Sequence, residues 1–283
     1  MEYTLYYRNF LKYCNYSCSY CPFSKYSLNN EELEKDIKYF EKFIKYIKNN
    51  TDTFRIFIAP KGEILNFDHY KNGISELSKM NNLKEIVIQT NLSGDLTWLN
   101  SVDKDKVILW TTYHPDETGL EDFYSQIKTL YDMNIRFSVG SVGIKENFPA
   151  LSKLKMKLED FGTHEPYFWV NAYKDKKDYY SSEEIEFLVS IDPLFELNLE
   201  NYLSKGLKCK TGNNIFWVEY NGLVHRCWQD KKVLGNLFCD ELKSFSNHSV
   251  CRYSKCTCYI GYIHILQLQM EKFYSQSLLG RIP

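Results

Sequence analysis

The stretch YTLYYRNFLKYCNYSCSYCPF, residues 3–23, begins as an alternating strand pattern and ends in three closely spaced cysteines. Cys14, Cys18 and Cys21 directly follow this first predicted strand. A structural zinc site takes four protein ligands, and no fourth cysteine or histidine is close to this loop. A four-iron cluster held by three cysteines leaves one iron open to another ligand. The spacing therefore favours an iron-sulfur site over the alternative of a zinc-stapled loop.

The chain after this loop alternates helical patterns with short apolar runs. The segment at 29–50 places Leu33, Ile37, Phe40, Ile44 and Ile47 at helical spacing, with Asn29 or Asn30 as the cap. Further helical patterns begin at 120 and 148. Six near-continuous apolar strands separated by helices predict a parallel sheet covered by helices. The predicted strands after the first are 54–60, 85–91, 106–114, 135–143 and 166–173.

Polar residues and glycines follow the predicted strands. Because parallel strands place their functional loops at the carboxyl ends, we expect these residues to converge with the cysteine loop on one face. They are Pro60, Lys61, Gly62 and Glu63 after strand two, Gln89, Thr90 and Asn91 after strand three, Tyr113 and His114 after strand four, and Gly140 and Ser141 after strand five.

A second group of cysteines begins almost two hundred residues later. An Asn221-Gly222 pair lies between two strand-like runs and predicts a hairpin. A cysteine before this hairpin and another at its end suit a metal cage, and a zinc ribbon is the alternative to an iron-sulfur cluster. Cys239 is outside this pattern and is expected to be a small buried hydrophobe. The group is Cys209, Cys227, Cys239, Cys251, Cys256 and Cys258.

Composition gives weaker indications. The 283 residues include 35 basic and 36 acidic side chains, a formal net charge of −1 that does not indicate a nucleic-acid or membrane partner. No apolar run reaches the roughly 18 residues of a membrane span, and no secretion signal is recognisable. Nine cysteines in such a chain favour reduced thiols and a cytoplasmic location.

The Cys-x3-Cys-x2-Cys spacing after a first strand, with Tyr20 before the last cysteine, resembles the signature of the radical SAM superfamily. The resemblance implies a [4Fe-4S] cluster on the three cysteines, with S-adenosylmethionine (AdoMet) on the open iron. Reductive cleavage of AdoMet would give a 5′-deoxyadenosyl radical that abstracts a hydrogen atom from substrate. Tyr20 would lie against the adenine. Gly62 and Glu63 match the segment that receives the methionine amino group, although Lys61 replaces the first glycine of that segment.

The resemblance also implies a partial (β/α)6 TIM barrel over residues 1–195. Within residues 196–283, the cysteine-rich part resembles a SPASM or twitch module with one auxiliary [4Fe-4S] cluster. The amphipathic tail that begins at Ile263 is expected to pack back on the barrel as a C-terminal helix. The expected ligands of the auxiliary cluster are Cys209, Cys227, Cys256 and Cys258, with Cys251 as a substitute. Asn91, His114, Ser138 and Asn171 are candidate AdoMet contacts, and a buried hydrogen-bonding role is the alternative for each.

The same resemblance implies an oxidoreductase or maturase that takes electrons from a donor such as flavodoxin or ferredoxin. A peptide that is oxidised, crosslinked or epimerised is the first expected substrate class, and a small aminosugar-like alcohol that is dehydrogenated is the second. An epimerase would need a hydrogen donor, for which Cys239 and Cys251 are candidates. The alternative from another class is a non-catalytic protein whose metal sites staple the fold or carry electrons.

Overall fold

The computed structural model describes residues 1–21, 23, 26–245 and 249–283. Six strands, β1 to β6, pair in parallel in chain order, as predicted, and helices separate most of them. The α/β class and the partial barrel are therefore confirmed. The elements of this part are β1 (Glu2–Arg8), α1 (Asn30–Lys48), β2 (Thr53–Ile58), α2 (Asp68–Ser78), β3 (Leu83–Thr90), β4 (Val107–Tyr113), α3 (Leu120–Asp132), β5 (Arg136–Val142), α4 (Phe148–Leu158) and β6 (Phe168–Asn171).

The rest of the chain has shorter elements. Two helices lead from the barrel into a region of short strands. In the barrel, 3-10 turns occur at 97–101, 145–147 and 159–164, and further 3-10 turns follow at 242–245, 266–268 and 270–272. No helix within the described ranges is long and apolar enough to span a bilayer. The elements are α5 (Ser182–Ile191), α6 (Phe195–Leu199), β7 (Tyr202–Leu203), β8 (Ile215–Glu219), β9 (Leu223–His225), β10 (Val233–Asn236), β11 (Lys255–Cys256) and α7 (Tyr259–Tyr262).

The predicted hairpin extends the barrel sheet. Strand β8 pairs in parallel with β1, and β9 and β10 continue the sheet in antiparallel register. The sheet order is β10-β9-β8-β1-β2-β3-β4-β5-β6. Gly222 in the turn has a φ of 85°, a left-handed conformation that glycine adopts without steric cost. The division of the chain at residue 195 stays a prediction, and the sheet continues across it.

Helix α1 forms as its sequence predicts. The side chain of the cap, Asn29, accepts a hydrogen bond from the backbone N–H of Glu31 at 2.9 Å. One face of the helix is buried against the outer side of the sheet, where the other helices also pack. The buried residues of this face include Phe40, Phe43 and Ile47.

The inner face of the sheet packs against the C-terminal segment. Side chains from β1 to β4 point into the barrel lumen and contact apolar residues of the last 25 positions. The lumen is therefore a packed core at this level. Its members include Tyr6, Phe57, Val87, Ile108 and Trp110 from the strands, and Tyr259, Ile263, Ile265, Met270 and Tyr274 from the C-terminal segment.

The prediction of one C-terminal helix is wrong. Helix α7 ends at Tyr262, and short 3-10 turns and irregular backbone follow. The backbone at 264–266 pairs with 208–210 instead: the Lys210 N–H donates to the His264 carbonyl and the Leu266 N–H to the Lys208 carbonyl. These non-local hydrogen bonds use groups that a helix would need for its own ladder.

Candidate functional site

The cysteine loop between β1 and α1 forms one wall of a cleft at the carboxyl ends of β1 to β4. The structure brings the three predicted thiols together here, and none of them is in a disulfide. Cys18 is buried, while Cys14 and Cys21 are half-buried. The lining residues are Arg8, Cys14, Tyr16, Cys18, Cys21, Phe23, Pro60, Lys61, Gly62, Glu63, Gln89, Thr90, Asn91, Thr112 and His114.

A buried carboxylate on α1 anchors the start of this loop. Asp36 is fully buried, and its Oδ1 accepts hydrogen bonds from the backbone N–H groups of Phe10 and Leu11 at 2.9 and 3.1 Å. His69 Nε2 lies 3.0 Å from Asp36 Oδ2. Sequence reasoning missed Asp36. Its position on the same helix face as Phe40 and Phe43 was a signal that its carboxylate would be buried and hydrogen-bonded.

Gly62 allows the loop after β2 to approach the cysteine loop. A Cβ at this position would lie 1.8 Å from the carbonyl oxygen of Tyr13. The next residue, Glu63, donates its N–H to the same oxygen at 3.0 Å. The absence of a side chain at Gly62 is therefore a steric requirement of the cleft. Lys61, which precedes it, donates its N–H to Asn9 Oδ1 at 2.8 Å.

The carboxylate of Glu63 joins the loops after β2 and β3. It accepts hydrogen bonds from the N–H groups of Leu65 and Asn91 at 2.9 and 2.6 Å and from the Thr90 hydroxyl at 3.0 Å. Burial raises the pKa of Glu63 to about 7, although these hydrogen bonds oppose the shift. In this structure Glu63 holds the cleft wall together with both of its oxygens.

His114 lines the cleft beside β4, and Tyr20, which is outside the cleft lining, contacts it. The Tyr20 hydroxyl is hydrogen-bonded to His114 Nδ1 at 2.7 Å, and the two rings are nearly parallel with centroids 5.9 Å apart. Burial lowers the pKa of His114 to about 4, with the charge of Glu117 opposing the shift, so the imidazole is neutral at pH 7. A flat aromatic pair of this kind suits stacking against a planar ligand.

The other candidate AdoMet contacts divide into two groups. Asn91 lines the cleft, and its amide nitrogen lies 3.2 Å from Asn15 Oδ1 and 3.7 Å from Cys14 Sγ. Ser138 and Asn171 are outside the cleft lining and contact the C-terminal segment. The Ser138 hydroxyl donates to the Gly280 carbonyl at 2.7 Å, and Asn171 Oδ1 accepts from Arg281 at 2.9 Å.

The end of β5 also serves packing. A Cβ at Gly140 would lie 2.0 Å from the Trp169 ring, and the Ser141 hydroxyl donates to the Tyr113 carbonyl at 2.8 Å. Tyr113 itself packs into the outer core. The cleft instead includes residues that sequence reasoning missed, namely Arg8, Tyr16 and Thr112. The alternation of β4 was the available signal for Thr112, because Thr112 and His114 share one face and Tyr113 takes the other.

The second group of cysteines is enclosed by backbone pairing. Cys256 lies in the antiparallel ladder of β7 and β11. The Cys209 N–H donates to the Ser249 carbonyl at 2.7 Å, and the Cys251 N–H donates to the Leu207 carbonyl at 2.9 Å. Cys209, Cys251 and Cys256 are buried, and Cys227 and Cys258 are half-buried.

Thiols of this group, among them Cys256 and Cys258, have raised pKa values. Burial raises the pKa of the Cys256 thiol, and negative charge on Cys258, Cys209, Cys227 and Cys251 raises it further. Burial also raises the pKa of Cys258, against the charges of Lys174, Arg281 and Arg8. Within the described residues, no three His, Cys, Asp or Glu side chains converge as ligands of a single metal ion. A four-iron cluster differs in this respect, because each thiolate binds a separate iron.

The expectation for Cys239 is wrong. Its side chain is exposed, because it lies in a turn after β10 in which the N–H groups of Cys239 and Asp240 donate to the Asn236 carbonyl. Neither Cys239 nor Cys251 lines the cleft. Cys251 lies 3.4 Å from the Ser204 hydroxyl in the region of β7.

Comparison with known proteins gives structural matches alone, because no protein-family model and no curated protein matches the sequence. Native anSMEcpe with bound AdoMet and the Cp18Cys peptide aligns with a TM-score of 0.58 at 13% identity, over 99% of this chain and 88% of that chain. The complex with AdoMet and the Kp18Cys peptide aligns with a TM-score of 0.58 at 15% identity, over 87% and 80%. BtrN in complex with AdoMet and 2-DOIA aligns with a TM-score of only 0.40 at 17% identity, over 84% of this chain and 78% of that chain, which is too low to indicate a shared fold. The chain therefore shares the α/β partial-barrel fold of anSMEcpe, a protein solved with AdoMet bound.

Proposed function

We propose that the protein is a radical SAM enzyme in which Cys14, Cys18 and Cys21 hold a four-iron cluster. The observation that carries the proposal is the position of these three free thiols in one cleft, at the carboxyl ends of the parallel strands. A fold shared with an AdoMet-bound protein supports it. When bound, the cluster and AdoMet would supply a 5′-deoxyadenosyl radical that abstracts a hydrogen atom from the substrate.

The residues of the cleft have separate tasks in this proposal. Tyr20 and His114 provide the aromatic wall for the adenine. The Asn91 amide, close to Cys14, orients a polar group of the cofactor. Gly62 keeps the loop after β2 against the cysteine loop, and Glu63 fixes that loop to β3.

The second group of thiols is proposed to hold an auxiliary [4Fe-4S] cluster. Cys209, Cys227, Cys256 and Cys258 are the ligands we favour, and Cys251 is the substitute. The charges of the other thiols that raise the pKa of Cys256 support a shared site, and the burial of Cys209 and Cys256 suits a cluster that is shielded from water. Such a cluster would accept the electron that remains after hydrogen abstraction in an oxidation.

The proposed substrate is a peptide that is oxidised, crosslinked or epimerised, with electrons supplied by a donor such as flavodoxin or ferredoxin. Support comes from anSMEcpe, which has been solved with Kp18Cys and Cp18Cys peptides bound.

The test is purification without oxygen, followed by reduction in the presence of AdoMet. We expect a brown protein with about 8 irons per chain, as two four-iron clusters require, and release of 5′-deoxyadenosine. A colourless protein that contains zinc and leaves AdoMet intact would contradict the proposal and favour a metal-stapled binding protein.

A further inference from the structure

Two cations line the cleft on the side of β1 and β2. Arg8 ends β1, and its Nη1 donates to the carbonyl oxygens of Ala59 and Pro60 at 2.9 and 3.1 Å. These hydrogen bonds fix the guanidinium in place, with the Phe23 ring 4.6 Å away. Lys61 follows β2, and its side chain is 18% exposed. His114, which is hydrogen-bonded to Tyr20, lines the β4 side of the same cleft.

One carboxylate, that of Glu219, is close to Lys61 and lies beside Arg8 on the neighbouring strand. Glu219 lies opposite Arg8 in the parallel pairing of β1 with β8, and its Oε2 is 3.7 Å from Lys61 Nζ. Its Oε1 accepts a hydrogen bond from the Trp217 indole at 2.8 Å. Glu63 also lines the cleft, but backbone N–H groups and Thr90 already occupy its oxygens. Two cations thus line the cleft, with the Glu219 carboxylate paired to Lys61 and on the strand next to Arg8.

The free donors of these side chains point to an anionic ligand. In the described part of the chain, Arg8 makes side-chain hydrogen bonds through Nη1, and Lys61 Nζ has the 3.7 Å ion pair with Glu219. Nε and Nη2 of Arg8 and the Lys61 ammonium therefore retain hydrogen-bonding capacity. Burial lowers the pKa of both groups and the charge of Glu219 opposes this, which shows that their desolvation is incompletely offset.

Arg8 also lies beside the N-terminal group of cysteines, because Arg8 and Cys21 line the same cleft. A ligand held by Arg8 would therefore lie next to the N-terminal site. In the proposed function, a substrate that gives up a hydrogen atom has to bind there.

We infer that Arg8 and Lys61 bind a carboxylate group of the substrate. The planar guanidinium and the adjacent ammonium match a carboxylate, which can accept hydrogen bonds from both at once. The inference rests on the proposed function for its substrate and implies an acidic substrate, such as a peptide with an acidic side chain. The carboxylate of AdoMet has the same chemistry, so the test separates these two sources.

The test measures acetylation of Lys61 by acetic anhydride in the AdoMet-loaded protein, with mass spectrometry of the peptides as the readout. Glutarate is the probe, and neutral glutaramide at equal ionic strength is the control. We expect glutarate to slow Lys61 acetylation about threefold or more, since charge-assisted hydrogen bonds engage the amine. Glutaramide should have no effect, and the exposed Lys48 should react at the same rate throughout.

Two variants sharpen the test. Arg8→Met should abolish protection by glutarate. Glu219→Gln removes the competing carboxylate, so glutarate should protect Lys61 at a concentration several-fold lower. If Arg8→Met does not fold, Glu219→Gln still decides: protection at an unchanged glutarate concentration would overturn the inference.

Two further outcomes separate the possible errors. If AdoMet itself protects Lys61 while decarboxylated AdoMet does not, the pair binds the carboxylate of the cofactor and the inference is overturned. A protein without iron that leaves AdoMet intact would overturn the proposed function alone. In that protein the glutarate experiment is done without AdoMet and still tests the Arg8 and Lys61 pair, because protection by glutarate does not depend on cofactor cleavage.

Discussion

The two groups of cysteines are held by different kinds of structure. The N-terminal thiols lie on a loop whose neighbours are a buried carboxylate, Asp36, and the close approach at Gly62. The C-terminal thiols lie among paired backbone segments, with Cys209 and Cys256 in the lumen core. The first arrangement leaves an open face for a ligand and the second encloses its contents. One fold therefore offers an accessible site and a closed site, and the residues that support them can be changed separately.

The largest expected effect comes from replacing Cys14, Cys18 and Cys21 together with alanine. AdoMet cleavage should disappear, and the iron content should fall from about eight to about four per chain. The free energy of unfolding should change by only about 1–2 kcal/mol, because two of these side chains are half-buried on a loop. Release of 5′-deoxyadenosine, iron analysis and urea unfolding are the measurements. Cofactor cleavage by the triple variant would show that the open site is elsewhere.

The opposite pattern is expected for the closed site. Replacing Cys209 and Cys256 with alanine should remove a cluster and lower the free energy of unfolding by about 3 kcal/mol or more, because both side chains lie in a packed core. Cofactor cleavage should survive. Cys239→Ala is the matched control, since its exposed thiol should affect neither iron content nor stability. If the double variant and the Cys239→Ala control have the same free energy of unfolding, the C-terminal thiols are not part of a packed core.

Two glycines allow close packing at the two sites, and replacing each with alanine should affect only its own site. Gly62→Ala would place a Cβ 1.8 Å from Tyr13 O, and Gly261→Ala would place one 2.7 Å from Cys256 Sγ. The first should weaken AdoMet binding about tenfold or more, since backbone has to move. The second should reduce the iron of the C-terminal site and leave AdoMet binding unchanged. Calorimetric titration and iron analysis of both variants are the measurements. Loss of iron from the C-terminal site in Gly62→Ala, or weaker AdoMet binding in Gly261→Ala, would contradict the independence of the two sites.

The smallest effect concerns pH and the closed lumen. Burial lowers the pKa of His264 to about 3 from the ordinary 6.5, and its Nε2 is hydrogen-bonded to Tyr6 at 2.6 Å. Between these values the unfolded chain binds a proton that the folded chain does not, so stability falls as pH drops through this window. His264 should cost about 2 kcal/mol of stability between pH 7 and pH 5. His264→Gln should remove most of this loss, whereas His164→Gln, at an exposed position, should retain it. Parallel pH profiles of the two variants in urea unfolding would contradict the assignment.

The sequence predicts the part of the molecule that local patterns control. The six strands, the cap at Asn29 and the turn at Gly222 follow from periodicity and turn chemistry. The meeting of Cys14, Cys18, Cys21 and the loop at Gly62 follows from the rule that carboxyl ends of parallel strands share one edge.

The features that sequence reasoning missed depend on distant partners. Ser138 is bonded to Gly280, 142 positions away, and Asn171 to Arg281, 110 positions away. The C-terminal segment is irregular because 264–266 pairs with 208–210, and no local pattern indicates that pairing. Arg8 has Glu219 beside it because β1 pairs with β8, a strand pairing that links the first and last quarters of the chain.

The filling of the lumen by residues 259–282 has a consequence for the order of folding. The inner faces of β1 to β4 carry Tyr6, Phe57, Val87 and Trp110, whose apolar partners are made only after every barrel strand. Contacts of such long sequence separation form slowly, because a large loop has to close before they contribute. During synthesis the barrel strands are therefore complete before the C-terminal residues that pack against their inner faces have been made. At that stage residues 259–282 do not yet cover Cys209 and Cys256, whose side chains the finished fold buries.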